Sequence, residues 1–498
     1  METPRVFQAT FILLAYVVVG CFAAGAVSQE ATLTTYPAPE GADRADDFVV
    51  KIDGTEIFVY DCEAAAFAGF SFSGKVTVSV IPNKNVDRVD IRPKNHGIAY
   101  SIKGRAVSFQ LDRPCNLSVE INGNIKRPLF VFANPLEKDP PESGDKNVRY
   151  FEGGRIHEAG EIKLASRETV YIAGGAIVRG RIRADGATNA RVLGRGILDG
   201  SHRDYKTQMV KLSGCSNIEL SGITVLNSFG WTLVPVRSDK VRISNVKVIG
   251  WRDNDDGVDI VGCRNLRIES CFLRTKDDCI AVKASPGYFE EGESGLRNVE
   301  NVSVIDTVLW NAEWGNAMEI GFELQTKKIS GILFKNCDII HVERGGTFTI
   351  HNGDFARVEN IRFEDIRVED SRDKLIELRV GLSIYSADCP WELARKNPQR
   401  KRSPLGQWIQ VGPDSEHELS DHRGHIRNVR FKNIFVTGTV LPKSFLIGYN
   451  DTHSVENVVV ENLQFNGRRI LNAEAGNFTI EKARNVRFVE SRNYSAPD

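Results

Sequence analysis

Residues 358–370 read VENIRFEDIRVED, two short runs of alternating apolar and polar residues hinged at a polar step. The phrase returns downstream as IRNVRFKNIFVTG (426–438), VENVVVENLQFNG (455–467) and ARNVRFVES (483–491). Upstream it reads SNIELSGITVLNS (216–228), DKVRISNVKVIGW (239–251), RNLRIESCFLRT (264–275) and ENVSVIDTVLWN (300–311). Such alternation describes a strand with one buried face, and the polar or glycine step between runs describes a bend. Several copies follow one another at roughly 23 to 30 residues. That interval is too short for a strand-helix-strand unit or for a propeller blade of about 40 residues, and the leucine ladder of a leucine-rich repeat is missing. The reading is an all-β chain built on a right-handed parallel β-helix of about ten or eleven coils, over residues 165–492.

Ahead of the repeat, residues 32–140 change character. DFVVKIDGTEIFVYD, KVTVSVIPN, IAYSIKGRAVSFQLD and LSVEIN are strands cut by turns, the pattern of a small antiparallel β-sandwich. A Pro/Asp/Gly-rich connector (141–164) joins the two domains. Residues 285–298 and about 380–424 read as loops inserted into the coils. The second holds ARKNPQRKR, a basic stretch that fits a solvated loop face or contact with an anionic substrate. Trp310, Trp314, Trp391 and Trp408 lie near these loops, where an aromatic face either stacks on a sugar ring or closes the core.

Composition narrows the classes further. The chain has 498 residues, a formal net charge of −1 and 26% charged residues. That balance gives no reason to expect nucleic acid or an anionic membrane surface as partner. Arg5 and the apolar run that follows it, ending in Ala24-Gly25-Ala26, read as a secretory signal peptide over residues 1–28. Val18-Val19-Gly20-Cys21 also resembles a loose lipobox, with lipidation of Cys21 as the competing reading and a single anchoring helix as the third. The chain is therefore expected to be secreted or periplasmic, as a monomer with no membrane span once processed. Its nine cysteines form no CxxC pair, so a zinc site is not expected. Cys263, Cys271 and Cys279, eight residues apart in strand-like runs, read as buried thiols, with one or two disulfides open in an exported protein.

The chemistry concentrates in NDDGVDI (254–260) and DDCIAVK (277–283). Adjacent carboxylates repel, so two aspartate doublets this close need solvent, a cation or a chemical task. On a β-helix, equivalent positions of successive coils lie about 4.8 Å apart. The 21 residues between Asp256 and Asp277 are close to one coil, so both carboxylates can reach one face, with Asp278 as a third. The Asp256-Gly257 step supplies a bend. A helix-loop-helix calcium site is excluded, because Arg252 would fall on its first ligand position and Cys263 on its last. An irregular cation site, turn caps in solvent, and glycoside hydrolysis stay open. Hydrolysis needs one protonated carboxyl and one carboxylate at the scissile bond, and crowding produces that split.

These two stretches resemble the NTD and DD motifs of the polygalacturonase-like glycoside hydrolases (family 28), which fold as right-handed parallel β-helices. The resemblance implies an inverting hydrolase of a polysaccharide, with no cofactor and no metal. It makes Asp277 the general acid and has Asp256 and Asp278 hold and activate the water, with Asn254 and Asp259 behind them. Two departures stand out. The family's Gly-His-Gly motif falls on Gly315-Asn316-Ala317, so Asn316 replaces its histidine. Its Arg-Ile-Lys motif, which holds a uronate carboxylate, falls on Thr349-Ile350-His351, without either cation. A sandwich ahead of the coils and WNAEWGNAMEIGFE (310–323) are similar instead to the dextranase-like enzymes (family 49). Asn316, His351, Lys283, Trp314 and Glu319 are the candidate substrate contacts, with Glu323 flanking the cleft. As bland alternatives, Lys283 pairs with a neighbouring carboxylate and His351 is satisfied within a loop. An α-glucan hydrolase, a calcium-dependent polysaccharide lyase and a non-catalytic carbohydrate-binding β-helix remain as competing functions.

Overall fold

The computed structural model describes residues 31–201, 208–286, 297–390, 408–409 and 422–490. The signal-peptide and lipobox residues, ARKNPQRKR and Trp391 lie outside them. The described chain is almost wholly β, and one sheet strings together thirty strands in sequence order. Each strand also pairs in parallel with the equivalent strand of the next coil, as Val258–Val261 does with Ile280–Ala284. This is the right-handed parallel β-helix expected from the repeat.

The recurring asparagine explains why the phrase repeats. Asn265, Asn301, Asn360, Asn428, Asn457 and Asn485 all hold positive φ between 53° and 60°. Asparagine tolerates this left-handed backbone better than other residues with a side chain. The side chains then bond up the stack: Asn301 Nδ2 donates to Asn265 Oδ1 at 2.6 Å, Asn457 to Asn428 at 3.0 Å and Asn485 to Asn457 at 2.6 Å. The alternating apolar residues point inward and stack in register. Phe363 lies parallel to Phe334 on one side and Phe431 on the other, with ring centroids 5.1 and 4.9 Å apart.

Helical pairing begins before residue 165. Val148–Phe151 and Ile156–Lys163, within the expected connector, already pair in parallel with Thr169–Ile172 and Ile177–Asp185. Their alternation is masked in the sequence by glycine and charge, so composition alone suggested a linker. Cys263, Cys271 and Cys279 sit at the coil corners between strands, buried, and all eight described cysteines are free thiols.

The N-terminal domain is a sandwich of a six-stranded and a five-stranded sheet. Its pairings are antiparallel except that Leu129–Pro135 runs parallel to Ala65–Ser73. It packs on the face of the β-helix carrying Phe272–Thr275, Val308–Asn311 and Asp338–Val342. Phe130 and Phe132 meet Phe272 at 4.8 and 5.4 Å, and Phe130 meets Trp310 edge-on at 5.8 Å. Trp310 is thereby a core residue of the domain junction. Beside it, Arg92 bonds to Glu120 at 3.0 Å and Glu369 at 2.5 Å, and His341 bridges Glu120 and Asp370 at 2.9 and 2.8 Å.

Candidate active site

The outer face of one sheet carries the site. Its successive strands are Val258–Val261, Ile280–Ala284, Met318–Leu324, Gly346–Asn352 and Lys374–Val380. Residues pointing inward (Val258, Ile280, Met318, Phe348, Ile376) stack in the core, and their neighbours Asp259, Ala281, Glu319, Thr349 and Glu377 stack on the outside. Asp255, Asp256, Asp277 and Asp278 occupy the corners just ahead of the first two strands.

The register is one residue off the sequence expectation. Val258 lies opposite Ile280, and the amide of Gly257 donates to the carbonyl of Asp278 at 2.8 Å. By this register Asp278, not Asp277, sits over Asp256. Asp277 still joins the group, because the chain turns between Thr275 and Asp278. The Thr275 hydroxyl donates to the Asp277 carbonyl at 2.7 Å, and Asn311 Nδ2 to the same carbonyl at 2.8 Å. One carboxylate oxygen from each of Asp256, Asp277 and Asp278 lies within 4.8 Å of the other two. This trio has the donor spacing to hold a cation.

Asp256 and Asp278 are buried, whereas Asp277 is only half-buried. Burial, reinforced by neighbouring carboxylates, drives both Asp256 and Asp278 well above the usual carboxylate range. For Asp256 those neighbours are Asp259 and Asp277; for Asp278 they are Asp277 and Glu319. Lys283 moderates the repulsion. Its amine stands 3.7 Å from Asp256 Oδ2, 3.4 Å from Asp259 Oδ1 and 4.0 Å from Glu323, and lies 4.2 Å over the Trp231 ring. Burial alone would strip its proton, but these carboxylates hold the ammonium well above its ordinary range. Asp259 is lifted by burial to about 7 even with Lys283 beside it. Asp256 Oδ1 and both oxygens of Asp259 lack a well-aligned protein hydrogen bond among the described residues.

Asn316 is tied to Asp278. Its backbone N–H donates to Asp278 Oδ1 at 2.6 Å and its Nδ2 approaches the same oxygen at 3.2 Å. Gly315 ahead of it has φ 66°, and a Cβ there would meet Asp277 Oδ1 and the Asp278 amide at 2.4 Å. Only glycine lets this corner lie against the doublet. Trp314, 42% exposed and carrying Arg344 at 4.6 Å over its ring, stands at the rim. Asn254 turns the preceding corner at φ 58°.

Four of the five expected substrate contacts are buried, Asn316 and Lys283 among them, and two are wholly enclosed. Glu319 and His351 are 0% and 1% exposed. His351 Nδ1 faces Glu319 at 3.0 Å and its Nε2 faces Glu377 at 3.2 Å, while Phe322 stacks on the ring at 4.4 Å. The sequence singled out Asp255 only as half of a doublet, without a role, and gave no sign of Lys374, Glu377 and Arg379. Asp255 accepts the amides of Lys276 and Asp277 at 2.7 and 3.3 Å and so shapes the doublet corner. The other three lie in KLIELRV (374–380), which repeats the alternation of TFTIHNG one coil on and thereby places Glu377 and Arg379 on the outer face.

Residues 162–379, enclosing all these groups except the sandwich, match the sequence model of Glycosyl hydrolases family 28. Over this stretch the chain is similar to family 28. Among curated relatives of this family 28-like chain, a "Probable polygalacturonase" of Vitis vinifera is 35% identical over 86 residues, 17% of either chain. A "Probable exopolygalacturonase B" of Neosartorya fischeri is 24% identical over 217 residues, 41% of this chain and 45% of the relative. The chain thus spans less than half the length of the curated relatives it matches. Among solved structures, Dex49A from Penicillium minioluteum superposes with a TM-score of 0.66 at 15% identity, over 91% of this chain and 96% of the other. That likeness of fold extends over sandwich and β-helix together. Among the described residues no helix is long and apolar enough to cross a membrane.

Proposed function

We propose that this protein is a glycoside hydrolase that cleaves a polysaccharide with inversion, using Asp277 as acid and Asp256 with Asp278 as the water-holding pair. The observation that carries the reading is the convergence of three aspartates within 4.8 Å, inside the segment that matches family 28. Carboxyls so close titrate as a unit and retain a proton near neutrality; burial favours that proton on Asp256 or Asp278 in the resting site, so the acid step requires it to pass within the trio to Asp277. Asp277, the member nearest solvent, is the one a glycosidic oxygen can reach. In the reaction Asp277 gives its proton to the leaving oxygen as the bond to the anomeric carbon breaks. A water oxygen bonds to that carbon and loses its proton to the Asp256–Asp278 pair. Asn316 fixes Asp278 Oδ1, and Asp256 Oδ1, which has no well-aligned hydrogen-bond partner among the described residues, can accept from the water.

The trio is tighter than the ~6.5–9.5 Å usual for inverting pairs. Inversion is supported by the family likeness rather than by this spacing, and the anomer formed first decides it. Substrate charge is read from the floor of the cleft. Lys283, His351 and Lys374 are each engaged by carboxylates already. Neither cation of a uronate clamp stands at Thr349-Ile350-His351, which favours a neutral sugar over a uronate at that position, since a buried carboxylate needs a cationic partner. Residues 5–26 and a polymeric substrate together favour export, as a monomer.

The test is reducing-end release from a panel of polygalacturonate, rhamnogalacturonan, dextran, pullulan and sulfated algal polymers. Wild type is expected to cleave a neutral polymer, with proton NMR reporting inversion, and Asp277→Asn to lose about 10²–10⁴-fold in rate. The cation-holding geometry of the trio favours a second reading, a calcium-dependent lyase. A chelator-sensitive, ultraviolet-absorbing product would establish that instead.

A further inference from the structure

Behind the trio, a line of buried polar groups runs away from Asp278 across successive coils. Asn316 Nδ2 lies 3.2 Å from Asp278 Oδ1 and 3.0 Å from Glu319 Oε2. Glu319 faces His351 Nδ1 at 3.0 Å, His351 Nε2 faces Glu377 at 3.2 Å, and Lys374 Nζ reaches Glu377 at 2.5 Å. Each member is at most 9% exposed. Three coil steps of about 4.8 Å carry the line roughly 14 Å along the wall of the β-helix.

The order of charges is alternating: ammonium, carboxylate, imidazolium, carboxylate, then the neutral amide that meets Asp278. Asn316 can sit only one way round. Its Oδ1 accepts the Gly346 amide at 2.9 Å, which turns both N–H groups of the carboxamide toward the two carboxylates. Glu319 is further fixed by the Thr349 hydroxyl. With carboxylates on both ring nitrogens, His351 is stable only with both protonated, because a bare ring nitrogen would face a negative charge. Burial alone would lower it, but Glu319 and Glu377 lift it to about 9. Arg379, one coil above His351, stands 4.0 Å from Glu377 and lies over Trp408, and Phe322 covers the ring.

We propose that Lys374, Glu377, His351, Glu319 and Asn316 form a positioning chain for Asp278, in which the His351 cation balances Glu319 so that Asp278 can carry its charge beside it. The proposal rests on the hydrolase reading for its catalytic meaning. It assigns His351 no contact with the sugar and gives the cation at this position an inward task, in place of the uronate clamp. Without the imidazolium, Glu319 confronts Asp278 across one amide, and like charges at that separation favour protonation of the base.

His351→Gln and His351→Lys test it on the polymer that wild type cleaves best. In His351→Gln, kcat falls about tenfold, KM stays within twofold, and the acid limb of kcat moves up by half a pH unit or more. His351→Lys, which restores a cation, returns that limb toward the wild-type position. A raised KM with preserved kcat would make His351 a sugar contact and overturn the chain. An equal loss in both variants with an unmoved acid limb would reduce it to packing. Nitrogen-15 NMR of the wild type needs neither activity nor a variant: the His351 ring is expected to keep both protons from pH 5 to 8, and a single neutral tautomer in that range refutes the proposal. If wild type cleaves no polymer while the ring is doubly protonated, the hydrolase reading falls and takes the catalytic role of the chain with it. Turnover by wild type with a neutral ring sinks the chain alone.

Discussion

Asp255 is the residue whose cost is most easily measured. It is fully enclosed, and burial lifts its carboxyl from 3.8 to about 7 although two backbone amides and the Arg274 charge pull the other way. A folded-state value above the unfolded one means that the charged form is disfavoured by folding. The penalty is absent below about pH 4, grows as pH rises between the two values, and is complete above pH 7. Wild type is therefore expected to lose stability between pH 4 and 8. Asp255→Asn, which keeps the acceptor for Lys276, should lose less over that range, by up to about 4 kcal/mol. Urea denaturation of both at the two pH values decides this; parallel curves would mean that Asp255 is solvated after all. The doublets Asp255-Asp256 and Asp277-Asp278 were conspicuous in sequence, but which member of each served structure was not. That follows from a register of 22 residues rather than 21 between Val258 and Ile280, and a one-residue shift is invisible to a motif.

At the scale of elements, the asparagine corners do the work that the repeat advertised. Asn457 combines φ 55° with a bond given to Asn428 and one received from Asn485. Asn457→Ala is expected to cost about 1–3 kcal/mol, from the left-handed backbone and the lost ladder bonds. Asn457→Gly should recover the backbone part of that loss. Equilibrium unfolding of the three proteins separates the terms, and equal costs for Ala and Gly would show that only the hydrogen bonds matter. The strands between corners were legible because one face of each is buried. Val148–Phe151 and Ile156–Lys163 were not, because their burial pattern is mixed rather than alternating.

For the whole molecule, the decisive contact is between sandwich and β-helix. Arg92 reaches from the first domain to Glu369 of the second while holding Glu120, which in turn meets His341. Arg92→Ala would leave two buried carboxylates short of a partner, at a cost of about 3–5 kcal/mol. Calorimetry should show one cooperative transition in wild type and a lower or divided one in the variant; an unchanged transition would mean the aromatic junction alone couples the domains. The same network predicts a pH effect. Burial lowers His341, but the hydrogen bonds it donates to Asp370 and Glu120 outweigh that and leave the group raised above 6.5. Its contribution is full below that value and declines as pH rises through the higher folded one.

By itself the sequence determined the coil, because a parallel β-helix is a local arrangement: each strand needs only its own alternation and a corner residue that tolerates positive φ. It also placed the aspartates together, since residues about one coil apart must stack. Only the tertiary structure decided that His351 and Glu319 face each other inside the wall, that Lys374 and Glu377 join them from a later coil, and that Trp310 belongs to the domain junction. Those outcomes depend on which face another part of the chain covers. Alternation gives every strand two faces and says nothing about what lies over the outer one.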